Sequence, residues 1–131
     1  MTTVLYADEW VAFTVDAKRG LVRYERTERP YGAEDIERSY AGVAEAVSRV
    51  PPGMKLLIDV RRAPPRNDAA FEARANGALD QLVKRFTRHA TLVRTAVGKL
   101  QSVRLASERG AVPHVFENEA EALTYLAVAA D

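Results

Sequence analysis

The chain has 131 residues, of which 47% are hydrophobic and 28% charged, a composition typical of one globular domain with an apolar core. It contains no cysteine, which excludes disulfides, thiol catalysis and cysteine-based zinc sites. No apolar run approaches the roughly 20 residues that span a bilayer, and the N-terminus lacks the pattern of a secretory signal, so we expect one cytoplasmic domain over residues 1–131.

The formal net charge of +1 hides an uneven distribution along the chain. Residues 1–54 carry −2, residues 55–109 carry +7 from 12 basic and 5 acidic side chains, and residues 110–131 carry −4. The middle segment is therefore the place to look for a site that binds an anion or an acidic partner. A simpler interpretation of these arginines is that they form solvated helix faces and loop surface.

The first thirty residues have the period-2 alternation of β-strands. Val11, Phe13 and Val15 alternate with polar or small residues, and a second alternating run covers residues 21–27. The short connection between them ends in Gly20, which tolerates a positive φ, so the two runs predict a β-hairpin. Residues 4–6 favour a further short strand before the turn at Asp8 and Glu9.

The pattern then changes to helices that alternate with strands. A helix is indicated by one apolar face and ends before Pro51, Pro52 and Gly53; the residues of this face are Ile36, Tyr40, Val43 and Val47. The continuous apolar run in residues 55–60 is typical of a strand covered on both faces. A loop over Arg61–Asn67 and a second helix from about Asp68 to Phe86 follow.

The remaining elements continue this alternation. We expect a strand over Thr91–Val97, a helix from Gly98 to about Glu108 with Leu100 and Val103 facing inward, and a short strand over Val112–Phe116. Pro113 places that strand at a sheet edge. Asn118 and Glu121 resemble a capping box, which opens a last helix carrying Leu123, Leu126 and Ala127. The order predicts one α/β domain with a mixed sheet, an antiparallel hairpin followed by parallel β-α-β-α units, and four helices.

This order of elements resembles the STAS domains, and more closely their SpoIIAA-like relatives, over residues 4–127. The segments that carry the resemblance are YADEW (6–10), RT (26–27), PY (30–31), LIDVR (57–61), AP (63–64), RND (66–68) and FE (71–72). The stretch 58–72 is the most distinctive of them. The resemblance implies a non-enzymatic regulatory or binding domain of bacterial type, without a cofactor.

One departure from the anti-sigma factor antagonists in that family is clear. Those proteins carry a phosphorylatable Ser or Thr just after the buried strand, whereas no Ser, Thr or Tyr lies between Ser48 and Thr87 here. Phosphorylation needs a hydroxyl, so a phosphate switch is chemically excluded at this place. Asp68 offers a fixed negative charge there, although a helix N-cap is the simpler role for it.

The best candidate site is the loop of residues 61–68. Ligands of parallel sheets usually bind where strands end and helices begin, and arginines at that edge attract phosphate, sulfate or carboxylate groups. The candidate binding residues are Arg61, Arg62, Arg66, Asn67 and Asp68 from this loop, with Arg94 and Lys99 from the loop after the next strand. The alternative is that Arg61 or Arg62 pairs with an acid such as Glu72 and holds the loop.

Other chemistry has little support in the sequence. Aromatic residues do not interleave with basic ones as stacking platforms for nucleic acid do, and His89 and His114 lack the convergent ligands of a metal site. Asp59 has no matching base or nucleophile, and Trp10 is expected in the core. We therefore expect a protein partner, with a second copy of the chain as one alternative, and a domain that binds a small anion, nucleotide or lipid head group as the second hypothesis.

Overall fold

The computed structural model describes residues 2–32, 34–64, 77–78, 80–108 and 114–128, and of residues 101, 102, 105 and 106 it describes only the backbone. The described part of the chain forms a six-stranded sheet and helices on both of its faces. In chain order the elements are β1 (Thr3–Ala7), β2 (Val11–Asp16), β3 (Leu21–Arg26), α1 (Asp35–Val47), β4 (Lys55–Asp59), α2 (residues 77–78 and 80–83), β5 (His89–Leu92), α3 (Ala96–Glu108), β6 (Val115–Phe116) and α4 (Glu119–Leu126).

The six strands lie in the sheet in the same order as in the sequence. β1, β2 and β3 pair antiparallel, and β3 to β6 pair parallel. The chain returns between the parallel strands through helices, as parallel pairing requires. The mixed sheet and the α/β class predicted from the sequence are therefore confirmed.

The predicted hairpin is formed by β2 and β3. Asp16 pairs with Leu21, and the turn between them closes at Gly20, whose φ of 67° is in the left-handed region that favours glycine. The turn between β1 and β2 depends on Asp8, whose Oδ1 accepts hydrogen bonds from the backbone N–H groups of Trp10 and Val11, both at 2.8 Å. The turn predicted at Asp8 and Glu9 is thus held by a side-chain carboxylate.

One face of the sheet carries the larger core, beneath α1 and α2. Its helix side uses the predicted stripe of α1, since Ile36, Val43 and Val47 are buried and Tyr40 packs against them. Trp10 is also buried there, as predicted; its Nε1 donates to the carbonyl of Pro30 at 3.1 Å. The larger core is therefore formed chiefly by the hydrophobic faces of the hairpin and of α1.

The opposite face is covered by α4, which packs on the centre of the sheet. Leu57 on β4 and Leu92 on β5 are fully buried against Ala122 and Leu126 of α4. Because Leu56 and Ile58 face the larger core, β4 is buried on both faces, as its apolar run predicts. α4 begins as predicted at Asn118, whose Oδ1 accepts the N–H of Glu121 at 3.1 Å.

The segment after β5 differs from the prediction. β5 ends at Leu92, so a strand through Val97 is wrong, and α3 begins at Ala96 rather than at Gly98. The reason is local: the hydroxyl of Thr95 accepts the N–H of Gly98 at 3.1 Å, and this hydrogen bond starts the helix earlier. The inward position predicted for Leu100 is also wrong, because its side chain is 71% exposed.

The two edge strands of the sheet, β1 and β6, differ in length and in regularity. β6 has two residues and lies at one edge, which agrees with the predicted edge strand, although Pro113 lies outside the described residues. β1 lies at the other edge, where its pairing with β2 is irregular between Val4 and Tyr6. There the guanidinium of Arg49 donates to the carbonyl of Leu5 at 2.6 Å. In the described part of the chain, no helix is long and apolar enough to cross a membrane.

Candidate functional site

The predicted site residues lie at the edge where β4 and β5 end. Arg61 and Arg62 follow β4 directly, and Arg94 follows β5, its parallel neighbour, by two residues. Lys99 lies in the first turn of α3. Three predicted residues, Arg66, Asn67 and Asp68, lie outside the described part of the chain, as does Glu72, the acid suggested as a partner.

Arg61 is engaged in a bidentate ion pair at the end of β4. Its Nε donates to Oδ1 of Asp59 at 3.0 Å and its Nη2 donates to Oδ2 at 2.7 Å. The backbone N–H of Arg61 donates to the same Oδ1 at 3.1 Å. Asp59 has a side chain only 4% exposed, so this arginine compensates a buried carboxylate.

Two further charged groups complete the arrangement. Arg23 of β3 reaches Oδ2 of Asp59 at 3.3 Å and Oε2 of Glu119 at 3.1 Å, and Arg61 also reaches Oε1 of Glu119 at 3.1 Å. Arg23, Asp59, Arg61 and Glu119 thus form a closed ring of alternating charge, which we call the charge quartet. It joins β3, β4 and the first residue of α4, and its formal charges cancel.

The quartet determines the titration of its buried member. Burial alone raises the pKa of Asp59, but the hydrogen bonds and charge of Arg61, with the charge of Arg23, outweigh it and hold the pKa below its ordinary value. The same contacts raise the pKa of Arg61, chiefly through its hydrogen bond with Asp59. Asp59 is therefore an ionised structural group rather than a proton donor at neutral pH.

Acid is expected to weaken the fold through this carboxylate. A pKa that is lower in the folded than in the unfolded chain gives stability that is present above the ordinary value of 3.8 and is lost as the pH falls through the folded value. The melting temperature should therefore fall on acidification below about pH 4. Thermal melts of the wild type and of Asp59→Asn, from pH 7 downward, measure this. A variant as acid-sensitive as the wild type would exclude Asp59 as a source of the effect.

Arg62 has an acidic partner of its own. Its Nη2 donates to Oε2 of Glu28, and both side chains are more than half exposed. This pair lies at the surface, where salt bridges contribute little to stability. Both described arginines of the predicted loop are thus paired with acids within the chain, which corresponds to the alternative of a loop held by ion pairs, with Asp59, Glu119 and Glu28 as the acids.

Arg94 and Lys99 are in a different situation. Both side chains are exposed, and neither makes an ion pair with any residue that the structure describes. Two large apolar residues lie in the same stretch of chain, Val97, which is 75% exposed, and Leu100, which is 71% exposed. We call Arg94, Val97, Lys99 and Leu100 the α3 surface. Its two cations are predicted from the sequence, but its two apolar residues are not, because their pattern places Leu100 in the core and Val97 in a strand.

The two histidines, separated by 25 residues in the sequence, are neighbours in the structure. The rings of His89 and His114 meet edge to face with centroids 6.3 Å apart, and His114 stacks on Tyr125 at 4.4 Å. The guanidinium of Arg88 lies over the Tyr125 ring, with its Cζ 5.0 Å from the ring centroid. In the described residues, no three His, Cys, Asp or Glu side chains gather into a group that could hold a metal ion.

Comparison of the chain with protein-family models, with curated proteins and with solved structures gives no match.

Proposed function

We propose that this chain is a non-enzymatic, STAS-like regulatory domain that binds an acidic protein partner at the carboxyl edge of its sheet. The observation that carries the proposal is the α3 surface. It combines two large apolar side chains exposed by more than two thirds with two cations that have no acidic partner in the described residues.

The α3 surface has the composition of a contact site rather than of ordinary helix surface. A buried apolar centre with a polar rim is the usual anatomy of a protein interface, and large exposed apolar groups mark such sites. Val97 and Leu100 are three residues apart on a helix, so they share one face. Arg94 and Lys99 would supply complementary charge to an acidic segment and speed its association.

The charge quartet has a supporting role in this proposal. It ties β3, β4 and the start of α4 together next to the loop after β4, and thereby gives the edge a rigid base. Because its charges cancel and Arg61 is committed to Asp59, the quartet adds no free cation to the edge. Recognition of an acidic group falls instead to Arg94 and Lys99.

The absence of a hydroxyl between Ser48 and Thr87 shapes the regulatory side of the proposal. A partner would not be released by phosphorylation of the segment after β4, since that segment offers no acceptor. Control by phosphorylation would have to act at a hydroxyl elsewhere in the chain or on the partner.

The test is affinity measurement with substituted α3 surfaces. A partner captured by the wild-type chain from lysate of its source is identified, purified and titrated by calorimetry. The double variants Val97→Ser with Leu100→Ser and Arg94→Glu with Lys99→Glu should each weaken binding at least tenfold, since central contacts contribute about 1–2 kcal/mol each. Their melting temperatures should stay close to the wild type, because the substituted side chains are exposed.

The matched control is Val4→Ser, because Val4 is also a large exposed apolar residue, at 62%, and lies on β1 at the opposite side of the sheet. It should bind as the wild type does. Equal affinity of all variants would remove the α3 surface from the interaction. Binding of the wild type to anionic phospholipid vesicles, lost in the same variants and without any protein partner, would replace the proposed protein partner by a membrane.

A further inference from the structure

The amino ends of the parallel strands form an edge of the sheet that neither the charge quartet nor the α3 surface uses. Three segments meet there, namely the hairpin turn over residues 17–20, residues 53–54 before β4 and residues 84–88 before β5. The N–H of Lys55 donates to the carbonyl of Gly20 at 2.9 Å, and the N–H of Thr87 donates to the carbonyl of Met54 at 3.2 Å. These hydrogen bonds place the three segments side by side.

Cations without an acidic partner are concentrated at this edge. Apart from the buried Arg26 and the two cations of the α3 surface, the lysines and arginines that make no ion pair within the described chain all lie here. They are Lys18, Lys55, Lys84, Arg85 and Arg88, which we call the basic edge. All but Lys55 are exposed. Most of the unpaired positive charge therefore lies at the end of the sheet opposite to the predicted loop.

The acidic side chains near the basic edge leave it positively charged. Asp80 lies one turn before Lys84 on α2 and offsets part of the charge of that residue. The other acids pair with arginines outside the basic edge, namely Asp16 with Arg19, Glu45 with Arg49 and Glu108 with Arg104. An excess of positive charge remains in the described part of this edge.

Helix ends explain the position of two of these cations but not the excess. The Nζ of Lys55 donates to the carbonyl of Ala127 at 3.2 Å, and the Nη1 of Arg88 donates to the carbonyl of Tyr125 at 2.6 Å, so both contact the C-terminal end of α4. A helix end carries about half a negative charge, so the ends of α1, α2 and α4 offset about 1.5 of the five positive charges. The edge keeps a net attraction for anions.

Two of the cations are neighbours on adjacent strands. Leu56 of β4 pairs with His89 of β5, so Lys55 and Arg88, one residue earlier on each strand, lie side by side on the same face of the sheet. Like charges placed opposite each other on neighbouring strands are destabilising. Neither residue pairs with a carboxylate in the described chain, so an external anion would supply the charge that relieves this repulsion.

The arrangement of the basic edge indicates a flat anionic partner. Lys55 and Arg88 extend over the face of the sheet that carries α4, whereas Arg85 lines the space between α1 and α2 on the other face. Lys18 projects from the hairpin turn. The cations are thus spread in two dimensions across the end of the sheet rather than gathered around one small anion.

A nucleic acid suits this edge less well. Single strands bind by stacking of their bases on aromatic rings as well as by charge. The ring beside Arg88 is that of Tyr125, which is already stacked on His114 with centroids 4.4 Å apart. Sequence readout in a duplex inserts a helix or a β-ribbon into the major groove, whereas the basic edge consists of turns and strand ends.

We propose that the basic edge binds the anionic surface of a phospholipid membrane, with the ends of the strands directed at the bilayer. Lysine and arginine side chains from separate turns contact the head groups, and the attraction falls with rising salt. The α3 surface lies at the other end of the parallel strands, so it faces away from the membrane and stays open to a protein partner. The membrane contact uses no residue of the α3 surface and stands or fails independently of the proposed function.

The test is cosedimentation of the whole chain with lipid vesicles. We expect the wild type to bind vesicles of phosphatidylserine and phosphatidylcholine, to be released by added salt, and not to bind phosphatidylcholine alone. The double variant Lys18→Gln with Lys84→Gln should weaken binding about 25-fold, since each basic residue near the membrane contributes about fivefold. Its melting temperature should stay close to that of the wild type, because both side chains are exposed and make no ion pair in the described chain.

The matched control is Arg29→Gln with Arg38→Gln, which removes the same charge from exposed side chains at the other end of the sheet. β4 alone is five residues long, about 16 Å, which exceeds the Debye length of about 10 Å. The control should therefore bind vesicles as the wild type does. The proposal is overturned if the wild type does not bind the phosphatidylserine vesicles or if both double variants weaken binding equally. It is also overturned if duplex DNA binds more tightly than the vesicles and this binding is lost in the lysine variant.

Discussion

Replacing Asp59 with alanine is expected to destabilise the fold by about 2–3 kcal/mol, because hydrogen bonds to a charged group contribute about 1.5–3 kcal/mol and the two guanidinium groups left behind are partly solvated, at 23% and 39% exposed. The carboxylate accepts three hydrogen bonds from Arg61 and one from Arg23. Without it, two guanidinium groups would lie close together with only Glu119 between them. Since whole domains are stable by about 5–15 kcal/mol, this is a large share of the total. Urea denaturation measures it.

Glu119→Gln is the matched variant for the same quartet. Glu119 is 38% exposed at its side chain, so water replaces much of its lost interaction, and we expect a cost of about 1 kcal/mol or less. A loss from Asp59→Ala no larger than the loss from Glu119→Gln would contradict the central role of Asp59. Should Asp59→Ala not fold, Asp59→Asn keeps the shape of the side chain and should fall between the two.

Replacing Leu57 with alanine is expected to cost about 2–5 kcal/mol, through lost burial and the cavity left behind. Leu57 is fully buried in the centre of β4, against Leu92 and α4. The same substitution at Leu100 should change stability by no more than about 0.5 kcal/mol, because its side chain is mostly in solvent. Denaturation of the two single variants under identical conditions makes the comparison.

This pair separates the observed fold from the sequence prediction, which buried both leucines. If Leu100→Ala proves as costly as Leu57→Ala, Leu100 belongs to the core, and the α3 surface loses its apolar centre. The proposed interaction would then rest on Arg94 and Lys99 alone.

The central elements were predictable because their patterns have one physical solution. The run Leu56, Leu57 and Ile58 is apolar at consecutive positions, and a strand of this kind is stable only when both faces are covered. The apolar stripe of α1 and the glycine in the hairpin turn were predictable in the same way, because local geometry determines both. These features account for the sheet, its mixed pairing and the larger core.

The position of α3 was less accessible to such reasoning. Val97, Leu100 and Val103 recur at helical spacing, and the same spacing arises whether the face packs on a sheet or meets a partner. The start of the helix also depends on the hydroxyl of Thr95. In the sequence, Val93, Thr95 and Val97 occupy every second position, a spacing that resembles a strand. Local pattern therefore gave the helix but neither its beginning nor its environment.

The charge quartet was beyond prediction for a different reason. Asp59 and Arg61 are neighbours in sequence, but Arg23 lies 36 residues from Asp59 and reaches it only because β3 and β4 pair in parallel register. Glu119 comes from the far end of the chain and is placed by the docking of α4. The fold, rather than the local sequence, therefore determines which acidic side chain each arginine contacts.

The contact between Arg49 and the Leu5 carbonyl has a consequence for how copies of this chain behave at high concentration. A strand arriving from another molecule would have to displace that guanidinium and match an irregular stretch of β1 before it could extend the sheet. Growth of stacked fibrils from this edge is thereby discouraged by a single arginine in the turn that follows α1.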